Sequence, residues 1–96
     1  MYARLVIFKV GLGMRATIEQ LVDQFDPLYR AQTGFKNLFI IGDDSSGEYG
    51  SFSVWESREA AEAANAVIAP QLQQALTGKL QGPPSRWFFE ILEPTI

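Results

Sequence analysis

The chain has 96 residues, room for one hydrophobic core and hence for a single domain over 1–96. Its 47% hydrophobic and 20% charged residues are ordinary for a globular protein, and a net charge of −3 with eight scattered Lys and Arg excludes the clustered basic surface that nucleic acid requires. Cysteine and histidine are both absent, which removes disulfides, thiolate catalysis, the usual general base and the usual zinc and haem ligands.

No apolar run approaches the roughly 18 residues of a membrane span. The opening MYARLVIFKV lacks the small-residue cleavage site of a signal peptide and reads as a strand, so the cytoplasm is the expected location. This first strand covers Tyr2 to Val10. Its run LVIF is rich in β-branched and aromatic residues and suits a central strand covered on both faces. Gly11 and Gly13 bracket a turn, and Met14 to Thr17 lead into a helix. From Ile18 the apolar positions 18, 21, 22, 25, 28 and 29 form one stripe at helical spacing. Pro27 falls inside the stripe and is expected to kink or restart the helix, with Asp26 as a local cap and Gly34 as the stop.

Phe35 to Gly42 is the second strand, and the turn-rich Asp43-Asp44-Ser45-Ser46-Gly47 joins it as a hairpin to the third, Glu48 to Trp55. In the stretch GSFSVWESREAAEAA, Phe52 and Val54 alternate with Ser51, Ser53 and Trp55. Ser57 then offers its hydroxyl as an N-cap, with Glu59 placed to suit the helix dipole. The second helix runs from Ser57 to about Thr77, its apolar side formed by Ala60, Ala64, Val67, Ile68, Leu72, Ala75 and Leu76. Pro70 is expected to interrupt it as Pro27 interrupts the first. Gly78 caps its end, Gly82-Pro83-Pro84 is a stiff connector, and Trp87 to Leu92 is the last strand.

The order β-α-β-β-α-β is the ferredoxin-like arrangement of the α+β class, with an antiparallel four-stranded sheet carrying both helices on one face. The first and last strands are apolar on both sides: Leu5 and Ile7 against Val6 and Phe8, Trp87 and Phe89 against Phe88. Helices can cover only one side. The uncovered apolar face implies a homodimer in which two sheets pack face to face.

The phrase SVWESREAAEAA after a hairpin, the FKVGLG that leaves the first strand and the TGFKNLFI that opens the second together resemble the antibiotic biosynthesis monooxygenase-like group of dimeric α+β barrels. That superfamily includes cofactor-free oxygenases of polyketide phenols, haem-degrading enzymes and small proteins of no known activity, so membership implies a fold before a reaction. The haem-degrading members look to an Asn on the first strand, a Trp within the second helix and a His further along it. Here the first strand has no Asn, the second helix has no Trp, and the only asparagines are Asn37 and Asn65. The cofactor-free oxygenases need only a pocket, a polar group to hold a phenolate, and apolar walls. Their phenol itself supplies electrons to dioxygen, so no cofactor and no metal is expected here.

The resemblance implies a pocket near Trp55, whose other role is packing on the second helix or a partner subunit. Trp87, Phe88 and Phe89 serve either as aromatic lining or as plain core. Arg4 and Arg86 lie in or beside neighbouring strands that otherwise read as buried. A buried guanidinium needs a partner, Glu90, Glu93 or a ligand oxyanion; the plainer role of the two arginines is a strand-end ion pair or a solvated side chain. Tyr29 and Tyr49 can donate or accept a proton, although Tyr29 belongs to the core stripe. The acidic pair Asp43-Asp44 and the series Glu56, Glu59, Glu62 read as solvated groups, and Gly11 and Gly13 lack the third glycine of a phosphate loop. The expected ligand-binding residues are therefore Trp55, Arg4, Arg86, Trp87 and Tyr49. The expected function is cofactor-independent, monooxygenase-like handling of a small phenol- or quinone-type ligand in a pocket between sheet and helices. The alternative is a non-catalytic binding or accessory barrel.

Overall fold

The computed structural model describes residues 1–94. Its elements are β1 (Tyr2–Lys9), α1 (Arg15–Arg30), β2 (Phe35–Asp43), β3 (Glu48–Trp55), α2 (Arg58–Ala75) and β4 (Ser85–Glu90). The strands form one sheet in the order β2-β3-β1-β4, and every neighbouring pair is antiparallel. The fold is ferredoxin-like α+β, as the element order implies. No helix among the described residues is long and apolar enough to cross a membrane.

Register decides which side chains meet the helices. Arg4 stands opposite Ser53 on one side and Phe88 on the other, Val6 opposite Ser51 and Arg86, and Phe8 opposite Tyr49. Because side chains alternate along a strand, these residues share one face. Two clusters form the core there. Val6, Phe8 and Tyr49 pack with Ile18 and Leu76 at one end, and Trp55 packs with Phe25, Tyr29, Ala61, Ala64 and Ile68 at the other. The opposite face carries Leu5, Ile7, Phe52, Val54, Phe39, Ile41, Trp87 and Phe89, and it has no cover. Phe39 is 51% exposed and Phe89 48%.

The junction of β3 with α2 forms as its sequence implies. The Ser57 hydroxyl accepts the Ala60 N–H at 3.1 Å, and Glu59 lies in the first turn. Gly34 locks the neighbouring turn onto this junction. Its carbonyl accepts the Glu56 N–H at 2.8 Å, its φ is +82°, and a Cβ there would lie 2.6 Å from the Ala60 Cβ. Only glycine meets both demands.

Three expectations change. Neither proline divides its helix: α1 runs through Pro27 and α2 through Pro70. Each proline deletes a single backbone hydrogen bond and is exposed, so the carbonyl it frees can face water, while apolar residues on both sides of it hold the helix to the sheet. Asp26 does not cap a restarted helix; it pairs with Arg30 at 2.9 Å, one turn on. On α2, Val67 is exposed and Ala61 is fully buried in the stripe next to Ala64 and Ile68. Positions 61, 64 and 68 lie on one helical face, and 67 lies off it.

Candidate functional site

A cavity of about 90 Å³ lies between the sheet and α2. Its sheet side consists of Arg4, Val6 and Phe8 of β1, Ser53 and Trp55 of β3, and Arg86 of β4. Its helix side consists of Ala61, Asn65, Ile68, Ala69, Leu72 and Leu76 of α2, with Tyr29 of α1. These α2 positions recur at spacings of three and four, the signature of one helical face. The room comes from small side chains at Ala61 and Ala69, not from a break at Pro70. Gln73 and Arg86 are exposed and mark the mouth, while Trp55 is only 1% exposed at the inner wall.

Hydrogen bonds pin that inner wall. The Trp55 Nε1–H donates to Ser53 Oγ at 2.8 Å, and Ser53 Oγ donates to the Arg4 carbonyl at 3.5 Å. Trp55 meets the Phe35 ring edge-on at 5.6 Å and the Tyr29 ring at 6.4 Å. The Tyr29 and Ser51 hydroxyls lie 3.4 Å apart. A tryptophan held this way cannot swing into the cavity and keeps its shape constant.

The electrostatics are one-sided. The lining holds two guanidiniums and no carboxylate. The ion pairs among the described residues engage Arg15, Arg30 and Arg58, and leave Arg4 and Arg86 without an acidic partner. Arg4 is 8% exposed and lies over the Phe88 ring, 4.8 Å from its centroid. Burial first, and then the positive charge of nearby Arg86, hold its guanidinium below its ordinary value. An aromatic face offsets only part of the cost of burying a cation.

Of the residues expected to bind ligand, Arg4, Arg86 and Trp55 come together here. Trp87 and Tyr49 do not join them. Trp87 stands opposite Leu5, and alternation from Arg86 puts it on the uncovered face, 42% exposed. Tyr49 lies at the other end of the helix-covered face. Its ring is buried beside Val6 and Phe8, and its hydroxyl donates to Asp44 at 2.6 Å, which raises its pKa. Arg15 in turn bonds Asp44 at 3.1 Å and Glu19 at 2.9 Å, so this end of the molecule carries an exposed polar network.

Two residues were missed by reading the chain. Asn65 lines the cavity from α2, and its signal was available: a polar residue four positions after Ala61 and three before Ile68, on the apolar stripe. Ser53 bridges Trp55 and Arg4, and only the register shows that a strand serine faces the helices. Among the described residues no group of three acidic, His or Cys side chains could hold a metal ion.

No protein-family model matches the chain, and no curated protein matches it. Solved structures do. A protein of unknown function from Nitrosomonas europaea has a TM-score of 0.82 at 22% identity, covering 99% of this chain and 92% of that one. A monooxygenase from Streptomyces coelicolor, solved in complex with nanaomycin D, has a TM-score of 0.79 at 20% identity, covering 99% and 90%. SnoaB, a cofactor-independent oxygenase from Streptomyces nogalater, has a TM-score of 0.77 at 19% identity, covering 97% and 94%. At such identities the likeness speaks for the fold, and the activities belong to those proteins.

Proposed function

From the fold of the antibiotic biosynthesis monooxygenases, which this chain has, we propose that the protein is a cofactor-independent oxygenase acting on a small phenol held between sheet and α2. The observation that carries this reading is the Arg4 side chain, 8% exposed and without an acidic partner among the described residues, standing in an aromatic and aliphatic cavity walled by a hydrogen-bonded tryptophan. Such a group stabilises the phenolate over the phenol and lowers the phenol's pKa, so solvent at the mouth suffices to take the proton. That matters in a chain without histidine.

The oxidation balances on substrate and dioxygen alone. The phenolate ring gives up four electrons as it becomes a quinone. One oxygen atom of dioxygen bonds to the ring carbon para to the hydroxyl, and the other leaves as water. The para hydrogen and the hydroxyl hydrogen depart as protons and complete that water. The protein's part is to bind the ring, hold its oxygen against Arg4 and keep bulk water from the reacting carbon. Val6, Phe8, Ile68 and Leu72 serve the last role.

The active species in this reading is a homodimer joined through the uncovered apolar sheet face. The sheet separates that interface from the cavity, so each subunit carries a complete lining.

The test is incubation with 2,6-dimethoxyphenol under heavy-isotope dioxygen. The expected product is the para-quinone with one labelled oxygen per molecule, formed with equal uptake of phenol and dioxygen, and abolished by Arg4→Gln. Electron-rich phenols that bind without any dioxygen uptake would replace this reading by that of a binding protein. Phenols that neither bind nor react would remove the cavity as their site.

A further inference from the structure

Resting on the reading of the cavity as a phenol site, we infer that its ligand carries a second acidic group, a carboxylate, seated on Arg86 at the mouth. Two observations lead there. The lining contains two guanidiniums and no carboxylate, and neither arginine has an acidic partner among the described residues. One phenolate oxygen answers one of these charges. Arg4, 8% exposed at the inner end, is the one whose burial asks most for it.

Arg86 is the other. It pairs in register with Val6, two residues along β4 from the Phe88 that faces Arg4. It therefore sits on the same face as Arg4 and diagonally across the ladder, where side chains start about 7–8 Å apart. That separation suits a hydroxyl and a carboxylate set meta to each other on one ring, which leaves the carbon para to the hydroxyl free to take oxygen. Size agrees with this. The cavity is about 90 Å³, smaller than the roughly 150 Å³ of an apolar cavity that takes up benzene. Three fused rings exceed it, and even a single ring must extend into the open mouth, where Arg86 stands. The planar fork of arginine is matched to a carboxylate, which it binds through two parallel N–H donors. The protein as a whole repels anions, with a net charge of −3. A preference for an acid must therefore arise locally, at these two side chains.

The experiment compares 3-hydroxybenzoate with the uncharged 3-hydroxybenzamide by titration calorimetry, on the unmodified protein and on Arg86→Gln and Arg86→Lys. The acid is expected to bind at least tenfold more tightly, about 1.4 kcal/mol. Arg86→Gln should bring that ratio close to one, the acid losing at least tenfold more affinity than the amide, and Arg86→Lys should restore part of it. Equal affinity for acid and amide overturns the carboxylate site and leaves the phenol site standing. A tenfold preference that survives Arg86→Gln also overturns it, because the acid then sits elsewhere. Binding of neither compound overturns the phenol site and this inference together. Arg86 is exposed on β4, and an unchanged Tm for both variants separates lost recognition from lost folding.

Discussion

Ser53 joins the two halves of the inner wall, because its hydroxyl accepts from Trp55 Nε1–H and donates to the Arg4 carbonyl. Removing that hydroxyl leaves a buried indole N–H without a partner, in a residue 1% exposed. An unsatisfied buried donor costs about 1–3 kcal/mol. Ser53→Ala should therefore lower unfolding free energy by about that amount in a denaturant titration, with m unchanged, and should loosen the tryptophan that shapes the cavity. A loss below a few tenths of a kcal/mol would mean that Trp55 finds another acceptor. Arg4 was legible from the chain as a charge in an apolar strand. Its relation to Ser53, a residue 49 positions away, was not.

Within one element, a local signal is reliable where the donor and acceptor it joins lie a few residues apart. The Ser57 cap and the helix it starts were readable because the capping hydroxyl and the amide it accepts are three residues apart. Ser57→Ala should cost about 1 kcal/mol of stability, measured by chemical denaturation, and amide exchange should quicken first at the start of α2. A substitution that leaves exchange there unaltered would show that packing on Ala61 and Ala64, not the cap, secures the helix start. Prolines mislead at this scale. Pro27 and Pro70 carry a strong local penalty, yet Phe25 and Tyr29 on either side of one, and Ile68 and Leu72 on either side of the other, are anchored to the sheet. Tertiary burial outweighs a single lost hydrogen bond. The cavity, too, owes its room to alanines, which as sequence read simply as good helix formers.

The whole molecule presents a sheet with two unlike faces. Phe52 stands opposite Leu5 on one side and Phe39 on the other, at the centre of the uncovered face. If two copies join there, Phe52→Asp places a charge in a desolvated interface and should convert dimer to monomer or aggregate in analytical ultracentrifugation. A stable, soluble monomer of the unmodified protein would refute the face-to-face dimer. Trp87 and Phe89 belong to this surface, and for that reason they are unavailable to the cavity on the other side.

The sequence by itself determined the class of fold, the order of its elements and the chemistry that is out of reach. Those follow from short-range periodicity, caps and turns, and from the absence of histidine and cysteine. What only the tertiary structure decided is which residues share a site. Whether a strand residue faces helix or open sheet depends on one step of register. That step puts Arg4, Arg86, Ser53 and Trp55 around one cavity with Asn65, and sends Trp87 to the opposite face. The turn sets register in the β2–β3 hairpin, but for β1 it is settled by pairing with strands distant in the chain, which a reading of one segment does not reveal.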